Sequence, residues 1–126
     1  MQDLIIQESP GRGRGVFAAR AFAAGETIEI CPVIAMPPEE AALLDRTVLY
    51  NYYFGWPPDG EGAAIALGYG LLYNHSPTPN AKYEKSPEES LIRFTSLCPI
   101  AAGEEIFVFY TFPGAAPGKE VWFDVR

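Results

Sequence analysis

Short apolar runs rich in Val, Ile, Phe, Tyr and Thr recur along the chain, separated by turns that contain Gly or Pro. Such runs predict strands at Leu4–Gln7, Gly15–Ala18, Thr27–Cys31, Val48–Phe54, Ala63–Leu67, Ala81–Glu84, Leu91–Leu97 and Glu105–Tyr110. In the last run Ile106, Val108 and Tyr110 alternate with Phe107 and Phe109. Both faces are apolar, which predicts a strand buried on both sides. Only Pro38–Arg46 has helical character: Pro38 near the start, Glu39 and Glu40 in the first turn, then Ala42, Leu43 and Leu44. One short helix among regular short strands predicts a mainly β fold.

Two segments echo each other. Phe22-Ala-Ala-Gly-Glu-Thr-Ile28 and Ile100-Ala-Ala-Gly-Glu-Glu-Ile106 share one pattern. In each, Gly25 or Gly103 is expected to take a positive φ in a turn that feeds a strand. A single echo is two similar hairpin entries and not a repeat array.

Length adds that the 126 residues fit one domain with one core. Nine Lys and Arg against sixteen Asp and Glu leave a net charge of −7. Direct nucleic-acid binding is therefore disfavoured, because duplex affinity comes mainly from cations that neutralise phosphates. A basic, lysine-rich protein segment is the favoured electrostatic complement. Cys31 and Cys98 offer no CxxC and cannot make a four-cysteine zinc site. They read as two buried free thiols of a reducing compartment. The first ten residues lack the basic and long apolar regions of a signal peptide. The longest apolar stretch, Ala63 to Tyr73, carries Gly68 and Gly70 and falls short of the roughly 20 residues a bilayer needs. The expectation is a soluble, intracellular protein, cytoplasmic if bacterial.

Three segments could carry chemistry. Gly11-Arg-Gly-Arg-Gly15 lets backbone approach a ligand closely and exposes N–H groups to an anion. It matches neither GxGxxG nor a phosphate-binding P-loop, so by itself it is a turn. Asn74-His-Ser-Pro-Thr-Pro-Asn80 puts hydrogen-bonding side chains on a loop stiffened by two prolines. His75 is the only histidine and has no clustered carboxylates beside it, so a metal role is not expected. His75-Ser76 lacks the GxSxG elbow of a serine hydrolase. Gly103-Glu-Glu-Ile-Phe-Val-Phe-Tyr110 ends in a tyrosine whose hydroxyl can be a core group satisfied at the rim, or can orient an amine.

In this order the three segments resemble the SET domain of protein lysine methyltransferases. Arg12-Gly-Arg-Gly-Val-Phe-Ala18 is similar to the family's GxG start, Asn74-His75-Ser76 with Pro79-Asn80 to its NHxxxPN motif, and Gly103-Glu104-Glu105-Ile106 through Tyr110 to its GEELxxxY end. The match spans nearly the whole chain and is similar to the minimal single-domain SET proteins of bacteria and large DNA viruses. It implies a β-clip fold of several small sheets with a C-terminal pseudoknot and one short helix. It also implies one SET domain over residues 1–126 without pre-SET or post-SET zinc modules. The implied cofactor is S-adenosylmethionine, approached through the backbone of Gly13, Arg14 and Gly15. Asn74 would hold its amino-acid end, and backbone near His75 its adenine. Asn80 would stabilise the pseudoknot crossing, and Tyr110 matches the tyrosine closest to methyl transfer. The implied reaction moves a methyl group to a lysine amine of a basic protein segment.

Departures from the family are specific. The YxG motif is replaced by Ile30-Cys31-Pro32, the Asp before the final tyrosine by Phe109, and the cysteine of NHSCxPN by Pro77. Pro77 implies no zinc. Trp122 and Phe123 lie where a C-terminal flap is needed; Trp122 either stacks on adenine or anchors the C-terminus. A SET domain this short is expected to pair as a homodimer that completes its cleft. Two alternatives remain from the sequence: a degenerate SET domain serving as a protein-interaction module, and an unrelated β module whose Gly- and Pro-rich loops are only turns.

Overall fold

The computed structural model describes residues 3–56 and 62–110. Among these residues nine strands and one α-helix follow in chain order: β1 Leu4–Ser9, β2 Gly13–Ala18, β3 Thr27–Met36, α1 Pro38–Leu44, β4 Phe54–Trp56, β5 Gly62–Ala66, β6 Asn74–His75, β7 Ala81–Ser86, β8 Leu91–Ser96 and β9 Phe107–Val108. The mainly β expectation holds. β1 and β2 form an antiparallel hairpin, with Leu4 opposite Ala18 and Ser9 opposite Gly13. Five antiparallel strands in the order β4-β5-β3-β8-β7 form the main sheet, and β6 pairs with β9 in parallel.

β3 runs further than its sequence predicts. Pro32 ends the ladder with β8, opposite Leu91, and Val33 begins the ladder with β5, opposite Ala66. The proline thus sits where the strand changes partner, the place at which a missing N–H costs least. In β8 the alternation is strict: Ile92, Phe94 and Ser96 point inward and are buried. Phe94 stacks on Tyr73, with ring centroids 4.3 Å apart. The main core gathers Val16, Phe22, Cys31, Ile92, Ile100, Ile106 and Val108 from β2, β3, β8, β9 and the turns between them.

A second cluster lies under α1, where Ala41 and Leu44, one turn apart, pack on Ala63 of β5. Pro38 opens this helix and Glu39 and Glu40 sit in its first turn, as the sequence predicts. Val48–Phe54 is not a strand. Val48–Asn51 is a 3₁₀ turn, and strand begins only at Phe54. Thr47 decides this: its Oγ1 accepts from the Leu49 N–H at 3.1 Å and donates to the Leu44 carbonyl at 2.7 Å. A capped turn outweighs the β propensity of Val48.

The echoed segments pair with each other. The Phe22 N–H donates to the Ile100 carbonyl at 2.8 Å and the Ile100 N–H to the Phe22 carbonyl at 2.9 Å. In each turn the glutamate closes back on the first alanine: Ala23 N–H to Glu26 Oε1 at 2.9 Å, Ala101 N–H to Glu104 Oε1 at 2.6 Å. Gly25 and Gly103 take φ values of +81° and +92°, as their place in the turns requires. Among the described residues no helix is long and apolar enough to cross a membrane.

Candidate functional site

Segments far apart in sequence meet where the chain crosses itself. β9 lies parallel to β6, with Asn74 opposite Phe107 and His75 opposite Val108. On its other flank the run into β9 lies against β2. The Ile106 N–H donates to the Val16 carbonyl and the Ala18 N–H to the Glu104 carbonyl, each at 2.8 Å. Glu105–Tyr110 is therefore strand only at Phe107–Val108, because its hydrogen bonds go to two different neighbours. Ile106 and Val108 are fully buried while Phe107, Phe109 and Tyr110 are half-buried, so one face is sealed and the other partly open.

This crossing joins the GxG segment to Asn74. The Asn74 Nδ2 donates to the Arg14 carbonyl at 3.1 Å and to Glu105 Oε2 at 2.7 Å. The other oxygen of Glu105 accepts from the buried Ser9 hydroxyl at 2.6 Å. Gly15 faces the same network. A Cβ there would run into the Glu105 carboxylate and come within 2.8 Å of the Asn74 Nδ2. Gly15 is needed for room, whereas Gly13 has open space around it and a φ of +77°.

Asn80 pins the run into β9. Its amide donates to the Glu105 carbonyl at 2.9 Å and accepts from the Phe107 N–H at 2.8 Å. His75 ties down the far end, its Nδ1 accepting from the Tyr110 N–H at 2.8 Å. Burial lowers the His75 pKa, and because Nδ1 accepts, the neutral ring carries its proton on Nε2. Phe109, where the family usually has Asp, lies against the imidazole at 4.7 Å. Tyr110 packs at the edge of the main core.

Glu29 steadies the loop that enters β6. Its carboxylate accepts from the Tyr73 hydroxyl at 2.7 Å and from the Tyr69 N–H at 2.9 Å. Burial, and then the Glu29 charge, push the Tyr73 hydroxyl and the Cys31 thiol up in pKa. Cys31 is therefore a poor nucleophile; Cys98, expected to be buried as well, is exposed. Beside β9, the Arg12 guanidinium lies 5.0 Å from the Phe107 ring centroid, and its buried Nε has no hydrogen-bond partner among the described residues. Ile30, at the position of the family's YxG tyrosine, is 48% exposed.

The crossing thus brings Gly13, Arg14, Gly15, Asn74, His75 and Tyr110 into one connected region. Trp122 and Phe123 lie outside the described residues. Sequence reasoning did not assign Ser9, Glu29 or the Glu105 side chain. Glu105 stood inside the Gly-Glu-Glu motif and could have been singled out; Ser9 gave no signal. With Cys31 held protonated and the His75 Nδ1 engaged, the region is suited to binding and orienting a ligand rather than to covalent catalysis.

The profile of the SET domain family matches residues 13–111. A histone-lysine N-methyltransferase of Schizosaccharomyces pombe, specific for H3 lysine-37, is 33% identical over 122 residues, 96% of this chain and 77% of that protein. A crystal structure from Plasmodium falciparum, provisionally described as a histone methyltransferase, superposes with a TM-score of 0.67 at 27% identity, covering 88% of this chain and 95% of that one. The Chaetomium thermophilum Polycomb Repressive Complex 2 matches in fold, with a TM-score of 0.67 at 24% identity over 88% of this chain and 16% of that one. Together with the crossing of β2, β6 and β9, these likenesses establish that the chain belongs to the SET-domain family of protein lysine methyltransferases.

Proposed function

We propose that the chain binds S-adenosylmethionine beside Gly13–Gly15 and Asn74 and methylates a lysine on a basic, histone-like protein tail. The observation that carries this reading is the Asn74–Arg14 contact, which joins the two segments named for the cofactor. The donor set fits that group. Gly15, without a Cβ, lets its backbone lie directly against the Asn74 and Glu105 side chains, which keeps Asn74 beside the Gly13–Gly15 backbone. When bound, S-adenosylmethionine supplies an electrophilic sulfonium methyl group. SET methyltransferases generally use it, which supports the assignment.

The chain's own part is alignment. A lysine amine has a pKa of about 10.4, so only the small neutral fraction has a free lone pair at pH 7. The Tyr110 hydroxyl would orient that amine for in-line attack once its proton has left to solvent. His75 positions Tyr110 by accepting its backbone N–H. His75 backbone would contact the adenine, and Trp122 would cover it.

The target class follows from charge and from likeness. A chain of net charge −7 complements a lysine-rich tail, and the Schizosaccharomyces pombe relative is named for a histone lysine. Residues 1–126 are read as one SET domain. A second copy of the chain belongs to the same reading, and a monomeric mass by light scattering at tens of micromolar would refute it. The activity test is transfer of labelled methyl from S-adenosylmethionine to core histones. Label on a histone lysine is expected. Label on none, from folded protein that binds the cofactor, would overturn the target class.

A further inference from the structure

We infer that a second copy of the chain docks on the outer face of the main sheet, the two copies facing each other across β3 so that α1 of each meets the Arg93 end of the other. The inference rests on the reading above that the chain pairs with itself, and it deepens that reading by naming the surface.

Alternation along β3 divides its side chains between two faces. Cys31 points into the core, with the buried Ile92 opposite it on β8. Ile30, Pro32 and Ile34 point the other way. Pairing carries that outer face across the sheet. Leu91 of β8 lies opposite Pro32, and on the other side the Leu67 N–H donates to the Pro32 carbonyl at 2.9 Å. Ile30 is 48% exposed, Ile34 54% and Leu67 43%; Pro32 is exposed and Leu91 half-buried. These side chains are neighbours, so water meets a continuous apolar strip. Such a strip marks an interaction surface, which singly scattered apolar residues do not.

Charge selects the occupant. At one end of the strip α1 follows β3 and packs through Ala41 and Leu44 on Ala63, which lies opposite Met36 on the same outer face. Glu39, Glu40 and Asp45 are exposed at this end, against one cation, Arg46. At the other end Arg93 lies opposite Ile30. Its neighbour across β7, Glu84, is met by Lys82 at 3.7 Å. Among the described residues Arg93 has no ion-pair partner. One end is thus net negative, the other net positive, and the strip between them carries no charge. A two-fold axis that lies in the interface and crosses β3 at Pro32 exchanges the ends. It brings Glu39 and Glu40 of each copy to Arg93 of the other and sets apolar strip on apolar strip. The uncharged strip is also where two chains of net charge −7 approach with least repulsion. A basic protein tail on this face would set its lysines against Arg93.

Sedimentation equilibrium of the full chain across a dilution series tests this. Wild type is expected to pair at tens of micromolar. Ile34→Glu puts a carboxylate into the strip and should weaken pairing roughly a hundredfold or more. Ile5→Glu, at an isoleucine 45% exposed on β1, should pair as wild type does. Arg93→Glu, and separately Glu39→Lys with Glu40→Lys, should each weaken pairing about tenfold at low salt, and the three changes together should recover most of the loss. Should Ile34→Glu not fold, the charge set decides alone, since it alters no apolar position of the strip. Wild-type pairing by folded Ile34→Glu, or charge losses that add without recovery, overturns the inference and leaves the second-copy reading standing. Wild type that stays monomeric at these concentrations removes that reading, and the inference with it.

Discussion

Asn80 holds Phe107 at the crossing, accepting its backbone N–H at 2.8 Å while donating to the Glu105 carbonyl two residues before it. One side chain thus satisfies backbone groups on both flanks of the fully buried Ile106. Asn80→Ala strips a partner from each. An unmet buried group costs about 1–3 kcal/mol, so the loss should be about 2–4 kcal/mol, read as a lower midpoint in urea unfolding. An unchanged midpoint would mean that β9 is held by its ladder alone.

Gly13 and Gly15 are predicted to fail differently. Gly15 has ordinary backbone angles but no room beside Glu105 and Asn74. Gly15→Ala should displace that pair, with a cost of about 1–3 kcal/mol for overpacking, and should lower cofactor affinity. Gly13→Ala meets no atom, yet it forces alanine to a φ of +77°. Its cost should be about 1–2 kcal/mol of backbone strain. Thermal unfolding and cofactor titration of both variants separate space from strain; Gly15→Ala with wild-type affinity contradicts the account.

Much of this architecture was legible in the sequence. The positive-φ turns at Gly25 and Gly103 and the helix from Pro38 follow from local residue chemistry, whereas the motif segments were legible only through their resemblance to the SET family. The misreadings share one cause: local pattern does not reveal partners. Val48 looks extended until the Thr47 cap is considered. β6 is only two residues long and exists because β9 lies beside it. β3 passes through Pro32 because its ladder changes sides there. Ser9 meets Glu105 across 96 residues, a distance no local pattern reports.

Acid should weaken the fold through His75, the only histidine. Burial holds its pKa below the ordinary value, so the native state resists a proton that the unfolded chain accepts. Its contribution is complete above about pH 6.5, the unfolded pKa, and is lost as pH falls toward the lower native value. Stability measured between pH 7.5 and 5.5 should therefore drop on the acid side, and a His75→Phe variant should lose that slope. A flat profile in wild type would show that the imidazole takes a proton without penalty.

Tyr110→Phe isolates the hydroxyl. The backbone N–H that meets His75 is retained, so the fold and cofactor binding should survive. Methyl transfer should fall by about 10²-fold or more, the scale of a lost orienting or proton-handling group. Single-turnover rates with saturating cofactor give the answer, and a rate within a few-fold of wild type would remove Tyr110 from the reaction.

The central claim, that Gly13–Gly15 and Asn74 form the cofactor site, is tested most directly by calorimetric titration of wild type and Asn74→Ala with S-adenosylmethionine. The account predicts saturable one-to-one binding by wild type and its loss, or at least about a tenfold weakening, in a variant that remains folded. Equal affinity in the two proteins, or no binding by folded wild type, would contradict it.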